Sequence, residues 1–444
     1  MICDLARVRR EIGPAAIDRR PPWGRAGAFP RCRKSDRIVH LKLPMGFTYK
    51  TLKAPLRIAI EGWLKLVLSL RPRQKLDPGS IERILVFAYH GLGNFIMYTP
   101  ALKRLRERYP EARIDLQVGN NTGCEEVLAG AGLFDNIYNC PYKAGAKAWF
   151  KRVIEIRRTR YDITINEFHS HSWLLAMVAV HSKAPFRVGH VTSPGWLPHS
   201  SRFSFIFNMP VRMAEDEHEI DRYMDLVAEL GVSAVPLAEA RPFIHLTDGD
   251  RRFAQDYMAR AGLGLADTVI GIQPGTSAAM RWKQWPIDRY RALIERMVSE
   301  MPTLRIILFG NPLEVKMSAE LIQGLEARVT LAAGQTSVKQ VAALIERCRW
   351  LICNDSGLMH VAVAVGTPVV AIYGPTDIRR TKPWGTGHAI IRHDMPCSPC
   401  FRLEGEEELR RCPHHDCLMT ITPDEVFGQM LVALDGVAAS KGCN

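Results

Sequence analysis

From residue 84 onward the apolar positions fall into short runs, each closed by a glycine or a polar loop. Ile84–Ala88 (ILVFA) is one such run. It is too short for a helix, reads as a buried strand, and is followed by His90-Gly91-Leu92-Gly93-Asn94. Arg113–Val118 and Tyr161–Asn166 repeat the strand pattern, while Pro100–Tyr109 and His218–Leu230 carry helical spacing. Residues 231–247, with Pro236 and Pro242, interrupt the alternation as a linker. A second series then begins. Thr268–Gln273, Leu304–Phe309, Trp350–Asn354 and Pro368–Tyr373 read as strands, and Ile287–Glu300, Val338–Cys348 and Leu358–Val365 as helices. Such alternation predicts an α/β protein with two doubly wound parallel sheets, over residues 81–240 and 248–430. Ligands of such sheets bind in the crevice beyond the carboxyl ends of the strands.

The first 80 residues follow a different pattern. Residues 1–50 show no sustained periodicity, are rich in Arg and Pro, and lack the apolar core of a secretory signal. The expectation is a disordered leader, or an extension ahead of a start at Met45. Within 52–70, Lys53, Arg57, Glu61 and Lys65 recur every four positions along one helical stripe, with Leu, Ile, Val and Trp63 around the rest. This amphipathic helix is short against the ~20 apolar residues of a membrane span. It therefore either lies at an anionic membrane surface or packs on the body of the protein.

Composition narrows the class. With 444 residues, 47% hydrophobic and 24% charged, the chain is not collagen-like, disordered or disulfide-dense. Its net charge of +13 is concentrated in residues 1–80, which hold 18 of the 59 Lys and Arg but 6 of the 46 Asp and Glu. The body is nearly neutral, so no basic face for nucleic acid is expected.

Three loops bear chemistry. Gly91-Leu92-Gly93, with Asp115 near the acidic position, begins a dinucleotide fingerprint, but Ile96 replaces its third glycine. A nicotinamide-dependent oxidoreductase is therefore disfavoured. Asp355-Ser356-Gly357 lies between a strand and a helix, where free backbone N–H groups suit a phosphate, and His360 is one turn further on. The plainer alternative is an Asp N-cap and a buried histidine. Thr276 and Ser277 end another strand, with Lys283 close behind. Two anion-friendly loops in one half point to a diphosphate, hence a nucleotide-linked donor. Near the C-terminus, Cys397, Cys400, Cys412 and Cys417 are spaced so that they would hold a structural zinc or remain free thiols. The scattered remaining cysteines fit a reducing cytoplasm.

These motifs resemble glycosyltransferase family 9, the ADP-heptose:lipopolysaccharide heptosyltransferases. The matching runs are Gly91-Leu92-Gly93-Asn94 to Thr99-Pro100-Ala101-Leu102, Gln273 to Ser277 with Lys283-Gln284-Trp285-Pro286, and Asn354 to His360 with Gly366-Thr367-Pro368 and Tyr373 to Asp377. The resemblance implies a GT-B architecture, two Rossmann-like domains facing a cleft, with the N-terminal domain taking the acceptor and the C-terminal one the donor. It implies an inverting glycosyltransferase that moves a heptose from ADP-heptose to the inner core of lipopolysaccharide. The partners implied are a nucleotide-sugar donor and a glycolipid acceptor, at a cytoplasmic, peripheral site on the inner-membrane surface. Thr276, Ser277 and Lys283 would hold phosphates, Glu314 would approach the ribose, and Asp355, Ser356, Gly357 and His360 would hold the diphosphate. Leaving-group charge would fall on Lys283 and a helix N-terminus, with no metal required for catalysis.

One residue departs from the family pattern. Asn94 stands where an Asp general base is usual, and an amide takes no proton at neutral pH. His90 is the nearest replacement, with Glu167 and His169 as others. The alternatives are a transferase using another nucleotide sugar, and a catalytically impaired nucleotide-sugar-binding homologue.

Overall fold

The computed structural model describes residues 54–441 apart from 71–74, 120–122, 142–143, 168–172, 193–203, 234–238, 265–266, 401–411 and 413. These residues all belong to one compact unit, Tyr49–Asn444. The disorder expected for residues 1–50 and the start at Met45 lie outside the described residues.

The helix expected over 52–70 is α1 (Ala54–Ser69). The first half then runs β1 (Arg83–Ala88), α2 (Leu92–Arg108), β2 (Arg113–Val118), β3 (Asn136–Asn139), α3 (Ala146–Thr159), β4 (Ile163–Asn166), α4 (Trp173–His181), β5 (Phe186–Val191), β6 (Met209–Arg212) and α5 (Glu219–Ala228). The second half begins with α6 (Asp248–Arg260) and continues β7 (Thr268–Gln273), α7 (Ile287–Glu300), β8 (Leu304–Leu308), α8 (Val315–Ile322) and β9 (Val329–Leu331). It ends with α9 (Val338–Glu346), β10 (Trp350–Asn354), α10 (Gly357–Ala364), β11 (Val369–Ile372), β12 (Ala389–Ile391) and α11 (Pro423–Lys441).

The two sheets share one topology. Their strand orders are β3-β2-β1-β4-β5-β6 and β12-β11-β10-β7-β8-β9. All pairs are parallel, with Val86 opposite Leu116 and Ile165, and Ile352 opposite Ile272. Counted within each half, the order is that of a Rossmann sheet, whose switch point lies between the first and fourth strands. The loops that diverge there follow β1 and β4 in one half and β7 and β10 in the other.

Strand alternation sets the layers. In β1, Ile84, Val86 and Ala88 face an inner core while Leu85 and Phe87 face an outer one with Trp149, Tyr161 and Leu175. The inner core does not stop at the first half. It continues through Phe95 and Ile96 of α2 into Met359 and Val361 of α10, and on to Leu351 and Tyr373. The halves thus share apolar packing, with α2 lying against α5 and against α10.

One predicted boundary is corrected. Pro100 reads as a helix start, because proline is tolerated in a first turn. Instead, α2 begins at Leu92 with Gly91 as its N-cap, and Pro100 lies in its interior. Proline cannot donate to the carbonyl of Ile96, and that oxygen accepts the Thr99 hydroxyl instead (2.7 Å). The first glycine loop is therefore mostly helix, and Asn94 sits in its first turn. For α1, one face packs on the body: Leu64 is buried with Ala176, Ala179, Val180 and Phe207. No helix among the described residues is long and apolar enough to cross a membrane.

Candidate active site

In the second half, the loops after β7 and β10 flank the switch point, and side chains tie them together. The Asn354 side chain accepts from the Trp285 backbone N–H (2.9 Å) and donates to the carbonyls of Pro274 (3.0 Å) and Gly275 (3.3 Å). The Ser356 hydroxyl donates to Gln273 Oε1. Lys283 Nζ donates to Asp355 Oδ2 at 2.6 Å, and both side chains are largely buried. The lysine is thus held beside the first turn of α10, whose backbone N–H groups have no intrahelical partners. Cation and helix N-terminus converge on one place, an arrangement that suits an anion.

Glu314 marks the other end of this crevice. It lies beyond β8, with Oε2 accepting from the Asn311 backbone (2.9 Å), and Oε1 is buried without a donor among the described residues. A Cβ added at Gly275 or Gly310 would fall 2.3 or 2.8 Å from its carboxylate, so both glycines make room for it. Burial pushes the Glu314 carboxyl up from its usual value, against the bonds from Asn311 and the nearby Arg281. A buried acceptor lacking its donor suits a hydroxyl of a bound ligand.

Thr276 is buried, with its hydroxyl donating to Met280 O (3.1 Å), whereas Ser277 is exposed and makes no capping bond. His360 is buried, and desolvation depresses it to about 4, opposed by Asp355. It is a neutral ring packed against the other half: a Cβ at Gly93 would lie 2.8 Å from its Cδ2 and 3.3 Å from Gly357 Cα. Glycine at 93 therefore lets the first turns of α2 and α10 meet, with Asn94 next in the chain to that contact.

Across that contact, His90 Nδ1 lies 3.0 Å from Glu167 Oε1, and the two side chains are 1% and 0% exposed. The His90 ring is packed among Phe95, Tyr98 and Tyr223. His90 and Glu167 stand at the switch point of the first sheet, after β1 and β4, walled off from solvent. His169 lies outside the described residues.

With this geometry in place, likeness to known proteins decides the family. The model of Glycosyltransferase family 9 (heptosyltransferase) matches residues 149–409. The chain belongs to glycosyltransferase family 9. It is therefore a glycosyltransferase, with a heptosyltransferase role. Lipopolysaccharide heptosyltransferase 2 of Escherichia coli is 26% identical over 369 residues, 78% of this chain and 97% of the relative. Lipooligosaccharide heptosyltransferase 2 of Haemophilus ducreyi is 28% identical over 370 residues, covering 78% and 98%. Among solved structures, the E. coli ADP-heptose heptosyltransferase II superposes with a TM-score of 0.63 at 23% identity over 80% of this chain and 99% of that one. A family 9 glycosyltransferase of Veillonella parvula gives 0.64 at 23% identity, covering 80% and 97%. The two like sheets facing one crevice are the GT-B architecture that the sequence implies.

The glycosyltransferase gathers Thr276, Ser277, Lys283, Asp355, Ser356, Gly357 and His360 around one switch point, with Glu314 beyond β8. Gln273, Asn354 and Arg281 belong to the same region; the first two lie inside the sequence motifs without an assigned role, and Arg281 lies outside them. Asn354 stood inside a quoted motif, and its side-chain bonds to the facing loop are what the motif leaves unsaid. The C-terminal cysteines present a different picture. Cys417 is pushed up to about 11, first by burial and then by Cys400, Cys412 and Cys397, so the four thiols neighbour one another. Among the described residues, however, no group of three or more His, Cys, Asp or Glu is arranged to hold a metal ion. The alternatives of a structural zinc and free thiols at Cys397, Cys400, Cys412 and Cys417 stand as the sequence leaves them, with residues 401–411 and 413 of the same loop outside the described residues.

Proposed function

We propose that the enzyme transfers a heptose, with inversion, from ADP-heptose to the inner core of lipopolysaccharide. The observation that carries this reading is the crevice of the second half. Lys283, held by Asp355 at the N-terminus of α10, lies at one end of it, and Glu314 Oε1, buried without a donor among the described residues, at the other. A nucleoside diphosphate spans such a crevice, its ribose hydroxyls donating to Glu314 and its diphosphate meeting Lys283 and the α10 amides. As the sugar–phosphate bond breaks, the charge arriving on the diphosphate is met by groups already in place.

Roles differ within the motif. The Asp355 carboxylate would repel a diphosphate, so its part is to hold the Lys283 ammonium in position. Neutral His360 supplies an N–H but no charge. Asn94, in the first turn of α2 next to Gly93, orients the acceptor hydroxyl through its amide. The proton goes to His90, which Glu167 aligns. For direct transfer, the Tyr98 and Tyr223 packing around His90 must open when the acceptor binds. The curated relatives are named for lipopolysaccharide or lipooligosaccharide, both glycolipids, which supports a peripheral position on the cytoplasmic face of the inner membrane.

The test is ADP release from ADP-heptose with and without a heptose-deficient lipopolysaccharide core. Release only with acceptor present supports the assignment. A His90→Ala enzyme should then lose about 10²–10³ in kcat. ADP-heptose binding without release, across several core acceptors, would leave the Asn94 substitution as the mark of an impaired binder. No binding at all would send the donor assignment to another nucleotide sugar.

A further inference from the structure

A surface helix normally buries its apolar stripe and turns polar residues to water. Helix α1 does not. Its inner face carries Leu64, with Ile60, Val67 and Leu68 packed on α4. Its outer face carries Ile58, Leu66 and Leu70, just past the helix end, at 66%, 58% and 76% exposure, with Ala59 and Gly62 between them. Trp63 is stacked on His181 at the edge of this face, with its ring partly exposed. The helix is apolar around most of its circumference, yet among the described residues its packing partners lie on one side.

The neighbouring helix repeats the feature. Helix α3 also packs on α4, on the same side of the first sheet as α1. It exposes Phe150 at 70%. Helical spacing sets Lys147, Ile154, Arg157 and Arg158 on the same stripe as Phe150. Lys147, Arg157 and Arg158 are exposed, as are Arg160, Lys183, Lys65 and Lys75 nearby in the chain. Opposing charge is limited: Glu155 is paired with Lys151 and Arg152, Glu61 is half-buried on the flank of α1, and exposed Asp77 and Glu82, the latter paired with Arg83, follow Lys75. This is the side of the sheet opposite α2 and α5, the helices packed toward the second half.

We propose that the outer faces of α1 and α3 form one docking surface for an anionic lipid bilayer. Ile58, Trp63, Leu66, Leu70 and Phe150 enter the interface, and the surrounding lysines and arginines meet the headgroups. Apolar side chains ringed by cations, with few free carboxylates, match an anionic lipid surface; a second copy of the same face would bring cations against cations. The surface deepens the peripheral location proposed above and rests on it. It would hold the first half against the membrane while leaving the donor crevice in water.

The experiment is co-sedimentation of the full chain with vesicles of phosphatidylcholine alone, or with about a third phosphatidylglycerol. The expected result is binding to the anionic vesicles, weakened by salt, and reduced at least roughly tenfold by a Leu66→Asp/Leu70→Asp variant. Because both positions are exposed, the circular dichroism spectrum should be unchanged. A Lys147→Glu/Arg158→Glu variant should lose the preference for anionic lipid. Failure of the wild-type chain to sediment with either vesicle would overturn the proposal. So would equal binding by the aspartate variant, or conversion of a dimer to a monomer by that variant with no vesicle binding. ADP release on a soluble, delipidated core oligosaccharide keeps the two readings apart. The variants should match wild type there, whereas a chain that releases no ADP fails as a heptosyltransferase whatever its affinity for vesicles.

Discussion

Lys283 and Asp355 carry opposite charges within 2.6 Å of each other, and only one of them complements a diphosphate. Replacing Lys283 with Ala should lower kcat about 10²–10³-fold, because the leaving group loses its cation. Asp355→Asn keeps the lysine but loosens it, and a loss of roughly tenfold in kcat is expected. Steady-state ADP release distinguishes the two, and equal losses would show that Asp355 acts on the substrate itself. Glu314→Gln should instead raise the donor KM about tenfold, since the interaction serves binding rather than bond cleavage. Much of this site is legible in sequence, because Asp355-Ser356-Gly357 and Thr276-Ser277 sit at strand ends where backbone geometry already favours anions. The confinement of His90 is not legible. Tyr98 and Tyr223, which pack on it, come from helices far apart in the chain, and only tertiary packing brings them together.

At the scale of elements, the decisive contact is the meeting of the first turns of α2 and α10. Gly93→Ala would push a methyl into the His360 ring, and Gly357 backbone stands just beyond. The ring is buried and has little room to give. A stability loss of about 1–3 kcal/mol is expected by urea unfolding. A raised donor KM should accompany it, because α10 carries the turn proposed to meet the diphosphate; unchanged KM and unfolding would mean that the two turns separate freely. The second half was read well in sequence: Thr268–Gln273, Ile287–Glu300 and Trp350–Asn354 coincide with β7, α7 and β10, each a clear apolar run or amphipathic stretch. The first half was read less well. Of β3, only Ile137 and Tyr138 are even partly buried, and α4 is apolar all round, so neither shows a period that identifies it.

At the scale of the molecule, burial acts on the titration of several histidines. Desolvation holds His190, His218 and His360 each at about 4. His218 and His360 stand at the seam between the halves, the former donating to Lys382 O (3.0 Å). An unfolded histidine titrates near about 6.5, so below that value the unfolded chain binds protons that the folded chain does not. Stability is therefore whole above about pH 6.5 and falls as pH drops toward 4. The urea midpoint should decline steadily between roughly pH 7 and 4.5, and a flat profile would mean that these rings protonate within the fold.

The same seam carries Arg380, whose guanidinium reaches buried Glu219 alongside Arg222. With shared apolar packing beneath, the two halves rest shut. An enzyme that is closed at rest must part its halves to load donor and again to release ADP. That parting adds a diffusive step to each cycle, so added viscogen should slow steady-state cycling while leaving a single pre-loaded transfer untouched.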